Sequence, residues 1–582
     1  MINLPSAVIF FLGAALLLVL PRRVRSAAFL VIPAAAFWWL LTLSPGDIIT
    51  LSFLDYTLTP LLVDELSLVF GYVFVVITFL GGIYGYHVKD TAEKTASLLY
   101  AGSALGVVFA GDLFTLVIFW EIMAISSVYL IWARRTPQSS SAGMRYLMVH
   151  IFGGSLLTGG VLLHIVQTGS IEFSHMEAGL SSYLILAAFC INAAVPPLHA
   201  WLADAYPEGT VTGSVFLSAF TTKTAVYALA RGFAGWEALI WAGAFMALYG
   251  VIYAVMANDV RRLLAYDIIS QVGCMVAGVG IGTMVAINGA SAHAFTHVLY
   301  KGLLFMGAGA VLYATGRSKL SDLGGLAKAM PAVLILYMVG AFSISGVPLF
   351  SGFVSKSMVV YAAGLSGLGL VVLLLNLASV GTFLTAGLKL PYFTWFGKPQ
   401  NPEKPVKLAP LPPGMYIGMG LTAVLCIAIG VYPALLYNLL PYPVDYHPYT
   451  DTPIMETVQM LVFTGIGFYL LIKVLKPKDT IYLDTDWFYR RPARLAYKVF
   501  VVSVSAFFGW IENGAARLAE RMTNVSKNPT AYLMAVFRRS RKRTQGNLPD
   551  YDPDWQRLPV EPILALVLLA FIILLAWSLF RI

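Results

Sequence analysis

The sequence predicts an all-α polytopic membrane protein with about sixteen transmembrane helices. Hydrophobic residues make up 59% of its 582 positions and charged residues only 12%, whereas soluble domains carry roughly 25% charged residues. Runs of about 20 apolar residues, each long enough to cross a hydrocarbon core of ~30 Å, recur along the chain. No stretch before residue 476 is long or polar enough for a soluble domain.

The apolar runs define the predicted spans. In chain order they fall near residues 2–20, 26–43, 62–86, 95–110, 112–132, 143–168, 180–203, 209–231, 236–257, 263–282, 287–314, 329–360, 367–391, 412–438, 454–475 and 561–580.

The loops between the spans predict the orientation. Threading the spans alternately places the basic clusters on one side, at 22–25, 134–135, 261–262, 317–328, 398–407, 473–478 and 538–543. The loops at 44–61, 169–179 and 439–452 carry acids but no Lys or Arg, and they fall on the other side. Under the positive-inside rule the basic side is cytoplasmic and both termini lie outside. The net charge of +9 therefore indicates orientation rather than nucleic-acid binding.

Residues 477–560 break the pattern of spans. The run AYKVFVVSVSAFFGWI is short, and the segment after it is amphipathic and basic. A single crossing here would carry RRSRKR to the outer side, so we expect an amphipathic helix lying along the cytoplasmic face, with 561–582 as a terminal anchor. About 40 helical residues would reach roughly 60 Å, which indicates neighbouring subunits.

Long charged side chains lie inside apolar spans and predict a functional path. A charge at bilayer depth costs at least about 2.5–3.5 kcal/mol, so such residues usually face protein or water and serve a task. Two histidines share one helix face with a lysine at i, i+4 and i+8, and His titrates near neutral pH. The predicted proton or ion path comprises Glu121, Lys223, His293, His297, Lys301 and Lys356.

Two spans contain a proline interruption beside polar groups, in INAAVPPLHAW (191–201) and SISGVPLFSGFVSK (343–356). Proline frees backbone carbonyls in mid-membrane, which is tolerated where they line a hydrated cavity. Broken helices in two halves of a chain are typical of inverted-repeat transporters. Simple proline kinks are the alternative. His199 follows the first break and is expected to modify the path.

Other interpretations of these charges stay open. Glu121 is compatible with a structural ion pair, with Lys223 as the first candidate partner, while Lys389 is expected to be a snorkelling anchor at a cytoplasmic helix end. No carboxylate or Cys accompanies the His–Lys motif, so a metal site is disfavoured. The chain shows no nucleotide, haem or iron–sulfur motif. We therefore expect no cofactor and no redox centre of its own.

Several motifs, taken in order, resemble the antiporter-like subunits of respiratory complex I, Mrp-type Na⁺/H⁺ antiporters and membrane-bound hydrogenase-type complexes. The resemblance covers about residues 60–400 and is carried by FWEIMAISS, PPLHAWLADAYPEGTVTGSVFLSAFTTKTAVYALAR, NDVRRLLAYDIISQVG, HAFTHVLYKGLLF and SGVPLFSGFVSK. The lateral helix with one final span resembles the distal, largest subunit of complex I, whereas FLSAFTTK is closer to the Mrp D-type subunits.

The resemblance implies two inverted five-helix repeats, each with half a channel. The domains expected are 1–94 (N-terminal helices), 95–235 (first repeat), 236–400 (second repeat), 401–476 (C-terminal helices), 477–560 (lateral helix) and 561–582 (anchor). It also implies that Glu121, Lys223, His297, Lys301 and Lys356 are the family's path residues. At the position of the family's seventh-span lysine this chain has Asn192. Because Asn does not titrate, either Lys223 pairs with Glu121 directly, or the first half-channel is impaired or carries another species.

Three functions remain open at this point. The leading one is a proton-translocating subunit of an Mrp-type multi-subunit complex in a prokaryotic inner membrane, with other membrane subunits, protons, lipid and optionally Na⁺ as partners. The second is a proton-pumping subunit of a complex I-type or hydrogenase-type redox complex. The third is a structural subunit without transport, for which Asn192 is the only motive.

Overall fold

The computed structural model describes residues 5–398, 408–478, 483–527 and 560–579, together with single residues at 529, 533 and 537. The chain separates into two units, Met1–Asp486 and Trp487–Ile582. The first unit is a helical bundle that contains every residue of the predicted path. The second contains the segment predicted to lie along the membrane.

The first part of the bundle contains ten helices, and two of them, of 6 and 7 residues, are no longer than about two turns. They are α1 (Ser6–Val19), α2 (Arg25–Leu40), α3 (Glu65–Tyr84), α4 (Thr91–Val108), α5 (Leu113–Trp132), α6 (Pro137–Thr168), α7 (Leu180–Asn192), α8 (Ala200–Ala205), α9 (Gly213–Ala219) and α10 (Thr221–Gly232). We call α4–α10 the first half of the bundle.

The second half of the bundle begins at α11, and the C-terminal helices of the unit follow it. The helices are α11 (Glu237–Met256), α12 (Val260–Ile281), α13 (Met284–Thr315), α14 (Pro331–Ser345), α15 (Ser351–Leu365), α16 (Gly369–Thr382), α17 (Pro413–Val431), α18 (Ala434–Tyr437) and α19 (Asp451–Leu471). We call α11–α16 the second half. Two π-helical stretches, Phe383–Lys389 and Tyr392–Phe396, continue α16.

Eleven of the described helices are long and apolar enough to cross a membrane, and four shorter apolar helices accompany them. The helical membrane class is therefore confirmed, while the count of about sixteen stays a prediction. Three predicted spans are each divided into two helices: 180–203 into α7 and α8, 209–231 into α9 and α10, and 329–360 into α14 and α15. The first and third divisions follow the predicted prolines. The second, at Phe220, has no proline and was missed.

The all-α prediction implied that the acidic loop at 44–61 has no regular structure, but this loop contains β-strands. It contains an antiparallel hairpin of β1 (Ile48–Phe53) and β2 (Tyr56–Leu62), in which Phe53 lies opposite Tyr56. The two-residue turn needs a positive φ, which Leu54 adopts at 53°, as tight hairpin turns require. The hairpin adds a small β element to an otherwise helical unit.

Helix α12 is buried along nearly its whole length because several helices surround it, and it packs most closely against α11. A Cβ on Gly250 would lie 2.5 Å from the backbone nitrogen of Ser270, and one on Gly273 would lie 2.5 Å from that of Ala247. Small residues allow such close backbone approach between membrane helices. The close packing fixes the position of the polar residues that α12 carries into the bundle centre.

The second unit begins within a continuous helical stretch. Helix α20 (Asp486–Ala496) leads through a π-helical turn, Tyr497–Val502, into α21 (Ser503–Lys527). A separate helix, α22 (Val560–Leu579), coincides with the predicted anchor. Within the segment predicted as a lateral helix, residues 486–527 are thus helical. The basic run RRSRKR at 538–543 lies outside the described residues.

Candidate functional site

A buried ion pair lies at the centre of the second half of the bundle. Lys301 of α13 places its Nζ 3.9 Å from Oδ2 of Asp267 on α12, and both side chains are 0% exposed. The other carboxylate oxygen of Asp267 accepts a hydrogen bond of 3.2 Å from Thr385. Nζ of Lys301 and Oδ2 of Asp267 have no hydrogen-bond partner among the described residues. Both ends of the pair therefore retain free capacity to bind a mobile ligand such as water.

The two histidines of α13 extend this site toward α15. His293 contacts Oγ of Ser355 through Nδ1 at 3.1 Å and Oε1 of Gln271 through Nε2 at 3.2 Å. His297 is also fully buried, and within the described part of the chain neither of its ring nitrogens has a hydrogen-bond partner. It lies within electrostatic range of Lys223, Lys301 and Lys356. His297 is thus a titratable group among several cationic ones.

Two of the path lysines lie at helix breaks. Nζ of Lys223 donates a hydrogen bond of 2.5 Å to the Ser218 carbonyl at the end of α9. Lys356 has its Nζ 3.5 Å from the Ile344 carbonyl at the end of α14. The last carbonyls of a helix lack intrahelical donors and carry the negative end of the helix dipole. Each break therefore supplies a site at which an ammonium group is stabilised within the membrane.

Lys389 follows the same rule, which corrects the expectation that it is a snorkelling anchor. Its side chain is 2% exposed. Its Nζ donates to the carbonyls of Val255 and Ala257 at the end of α11. The end of α11 makes burial of this lysine tolerable, and its proximity to Lys389 depends on helix packing that the sequence does not reveal.

Glu121 does not pair with Lys223, contrary to the first candidate pairing. Glu121 is half-buried on α5 and makes no ion pair within the described part of the chain. Its carboxylate lies directly against Gly154 of α6, where a Cβ would overlap Oε1. The absence of a side chain at Gly154 gives Glu121 its place between α5 and α6.

Asn192 is part of a buried contact beside Glu121. Its Oδ1 lies 3.0 Å from Nδ1 of His150 on α6, and both side chains are at most 2% exposed. The His150 ring packs against Tyr146 and Trp201, with centroid distances of 4.1 and 4.6 Å. His150 is one helical turn before Gly154.

His199 lies in the break between α7 and α8 and meets a residue from far along the chain. Its Nε2 is 3.2 Å from Oδ1 of Asp484, which also accepts a hydrogen bond of 2.6 Å from Tyr249. Tyr266 donates to Oδ2 of Asp484 at 2.6 Å. Burial raises the pKa of Asp484, but hydrogen bonds and the charge of His199 outweigh it and leave that pKa well below its usual range.

Two acidic residues that contact the basic residues of the site, Asp267 and Asp484, were not predicted from the sequence. Asp267 stands inside an apolar span, seven residues after Val260, and that position could have identified it by the same criterion that selected Glu121. Asp484 had no such signal because it lies in a polar connector. Among the described residues no group of three His, Cys, Asp or Glu lies close enough to hold a metal ion.

Comparison with known proteins places these elements in a family. Residues 110–385 match the family model described as "NADH:quinone oxidoreductase/Mrp antiporter, TM". A Na⁺/H⁺ antiporter subunit of Alkalihalophilus pseudofirmus is 30% identical over 436 residues, which are 66% of this chain and 53% of that protein. This chain thus spans about half the length of that relative. Hydrogenase-4 component B of Escherichia coli is 26% identical over 462 residues, covering 72% and 68% of the two chains.

A solved structure agrees with this placement. A chain of the membrane-bound sulfane sulfur reductase, an archaeal respiratory membrane complex, has a TM-score of 0.66 and 25% identity, with 78% of this chain and 97% of that chain covered. The three broken helices and the predicted path residues from Glu121 to Lys356 lie within residues 110–385. The predicted resemblance to the transmembrane subunits of NADH:quinone oxidoreductase and Mrp antiporters is therefore confirmed over residues 110–385.

Proposed function

We propose that this chain is a proton-translocating, antiporter-like subunit of a multi-subunit membrane complex. The observation that carries the proposal is the ion pair of Lys301 and Asp267, fully buried and next to His297. A buried charge within a membrane is costly, so a pair with unsatisfied atoms is expected to serve transport rather than packing. The family match supports this interpretation.

The proposed path runs through the centre of the bundle. Lys223 and Lys356 stand at two helix breaks, and both lie within electrostatic range of His297 on α13. A proton that leaves Lys301 can be taken up by His297, while Asp267 stabilises the ammonium form of Lys301 whenever it is protonated. The same helices α12, α13 and α15 carry buried hydroxyls that have no hydrogen-bond partner among the described residues, namely those of Ser270, Ser291 and Ser351. We expect water molecules to connect these groups, since buried polar cavities of this kind hold water.

Exchange of Na⁺ for protons, in an Mrp-type complex, is the leading form of this function. It is supported by the likeness to the Na⁺/H⁺ antiporter subunit of Alkalihalophilus pseudofirmus. A pump driven by redox chemistry in another subunit is the second form, supported by the likeness to hydrogenase-4 component B and to the sulfane sulfur reductase complex. Both forms use the same path residues in this chain. They differ in what supplies the energy and in which partner subunits are present.

We also propose a location and an orientation. The chain would lie in a prokaryotic inner membrane with its basic loops on the cytoplasmic side, and the helix that begins at Asp486 would lie along that face against neighbouring subunits. This helical segment exposes large apolar side chains, including those of Phe500, Phe507 and Trp510. Such exposure supports the expectation that lipid or a partner subunit covers the segment.

Proton flux through the native complex tests the function. The complex would be purified in mild detergent and reconstituted in liposomes, and internal pH would be recorded after an imposed potential or Na⁺ gradient. Lys301→Ala should lower the proton flux by about tenfold or more, since relay groups contribute at least that much. Arg22→Ala, in a loop and outside the path, serves as the control. Wild-type flux in Lys301→Ala would show that this row of charges does not conduct protons.

A further inference from the structure

We propose that His150 is the proton-exchanging base of the first half of the bundle, and that Asn192 holds it in the tautomer that accepts a proton from Glu121. This inference rests on the proposed function and assigns the group that works in the first half. It also gives Asn192 a role, although Asn itself does not titrate.

The hydrogen bond between His150 and Asn192 determines which nitrogen is basic. In the contact of 3.0 Å we assign the hydrogen to Nδ1 of His150, with Oδ1 of Asn192 as the acceptor. In a neutral imidazole the other nitrogen, Nε2, then has a free lone pair. Nε2 is buried and has no hydrogen-bond partner among the described residues. The geometry therefore presents a base inside the bundle.

The two long helices of the bundle place a histidine at the same point. Helices α6 and α13 both have 32 residues, and each begins after a threonine whose side chain accepts a backbone hydrogen bond, Thr136 and Thr283. His150 and His297 both lie fourteen residues after these caps (136 to 150 and 283 to 297). His150 thus occupies in the first half the position that His297 occupies in the second.

The same correspondence explains the contact of Glu121. Gly154 and Lys301 both lie eighteen residues after the two caps (136 to 154 and 283 to 301). In the second half Lys301 extends toward the carboxylate of Asp267 on α12. In the first half Gly154 has no side chain, and the carboxylate of Glu121 on α5 occupies that space instead. The carboxylate thereby contacts the residue that lies one helical turn after His150.

The proton transfer involves no other reactant. The O–H bond of protonated Glu121 breaks and an N–H bond forms at Nε2 of His150, either directly or through one water molecule. The imidazolium then returns the proton toward the break after α7. The titratable or charged groups on the elements around His150 are Glu121 and Tyr129 on α5, Arg145, Tyr146 and His164 on α6, Tyr183 and Cys190 on α7, His199 in the break, Asp204 on α8 and Tyr206 in the turn that follows.

The test compares two histidines of the same helix in the reconstituted native complex. His150→Gln keeps a polar side chain but cannot be protonated, and we expect the proton flux to fall by about tenfold or more. His164→Gln makes the same change at a half-exposed position of α6 and should retain the wild-type flux. Assembly of each variant is checked by subunit stoichiometry. Wild-type flux in an assembled His150→Gln complex would overturn the inference.

A second variant decides the matter if His150→Gln does not assemble. Asn192→Asp keeps the acceptor atom and adds a negative charge, which favours the imidazolium. The midpoint of the pH profile of flux should therefore move to higher pH, and an unchanged midpoint would contradict a titrating His150. Lys301→Ala, measured in parallel, separates the two proposals. If Lys301→Ala and the His150 variant both carry wild-type flux, the proposed function fails. If flux is lost in Lys301→Ala but retained in the His150 variant, only the role of His150 is rejected.

Discussion

The buried pair of Lys301 and Asp267 is expected to serve transport at a cost in stability. Removing two charges from solvent costs several kcal/mol per ion, and their attraction repays this only when the remaining polar atoms are satisfied. Here Oδ2 of Asp267 and Nζ of Lys301 stand 3.9 Å apart, which is longer than a hydrogen bond. The pair is thus held loosely enough for a proton to pass. We expect it to be retained for transport rather than for stability.

Removal of one partner should destabilise the protein more than removal of both. Asp267→Asn leaves an uncompensated ammonium group in the bundle and should cost about 3–5 kcal/mol in the free energy of unfolding. The double variant Asp267→Asn with Lys301→Met should recover part of that loss, although proton flux is lost in both. Thermal unfolding of the purified complex, with a double-mutant cycle, measures the coupling. Additive losses would show that the two side chains do not interact.

The contact between Glu121 and Gly154 predicts a strong effect of one methyl group. Gly154→Ala would place a Cβ on the carboxylate of Glu121 and displace it from its position between α5 and α6. Proton flux should fall severalfold, although alanine is intrinsically more favourable than glycine in a helix by about 1 kcal/mol. Gly159→Ala, on the same helix but with open space around its Cα, is the matched control. Equal proton flux in Gly154→Ala and Gly159→Ala would contradict the assignment of Glu121 to the proton path.

At the level of elements, the breaks determine where cations lie. Helices α9, α11 and α14 end inside the bundle or at its edge, and a lysine donates to the last carbonyls of each. Tyr100 secures the break at Phe220, because its hydroxyl accepts a hydrogen bond of 3.1 Å from the backbone nitrogen of Thr221. Broken helices therefore position Lys223, Lys356 and Lys389, and Asp267 positions Lys301.

The short connector before α20 is a second element with a specific attachment. Asp484 accepts hydrogen bonds from Tyr249 and Tyr266, and the carbonyl of Leu483 accepts one of 2.8 Å from Tyr253. Since the pKa of Asp484 is lowered on folding, its contribution to stability is complete above the unfolded value of about 3.9. That contribution is lost only as the pH falls through the folded pKa.

This attachment predicts a local change in Asp484→Asn. Hydrogen–deuterium exchange of residues 483–487 should become faster in the variant at pH 7 and at pH 5, after correction for intrinsic rates, because the wild-type carboxylate is ionised at both. Tyr249→Phe removes one of the hydrogen bonds but keeps the charge, and should give an intermediate rate. Exchange that is unchanged in Asp484→Asn would mean that other contacts hold the connector.

For the molecule as a whole, two exposed features support the proposal that this chain works within a multi-subunit complex. The second unit exposes nearly all of its described apolar side chains, and Glu121 stands half-exposed on the surface of α5. A half-exposed carboxylate within a span is costly against lipid. Both features indicate that other membrane subunits surround this chain in the native complex.

Identification of those subunits separates the two forms of the proposed function. A tagged native complex, isolated in mild detergent and analysed by mass spectrometry, should contain small hydrophobic subunits without redox centres if ion gradients drive transport. Subunits with flavin, nickel or iron–sulfur clusters would instead assign the chain to a redox-driven pump. Recovery of the chain alone would contradict the expectation of a multi-subunit complex.

Local features of the sequence were sufficient for the membrane class, the family, the basic residues of the candidate path and the two proline breaks. These properties depend on hydropathy, on the cost of a charge in an apolar span and on the chemistry of proline, all of which act over short stretches of chain. Only the folded arrangement reveals that Lys301 meets Asp267, that Asn192 meets His150, and that Asp484 reaches His199. Each of these contacts joins residues on different elements, so it depends on which helices pack together and at what depth. The break at Phe220 has the same origin, since the groups that satisfy its free backbone atoms come from α4 and from the side chain of Lys223.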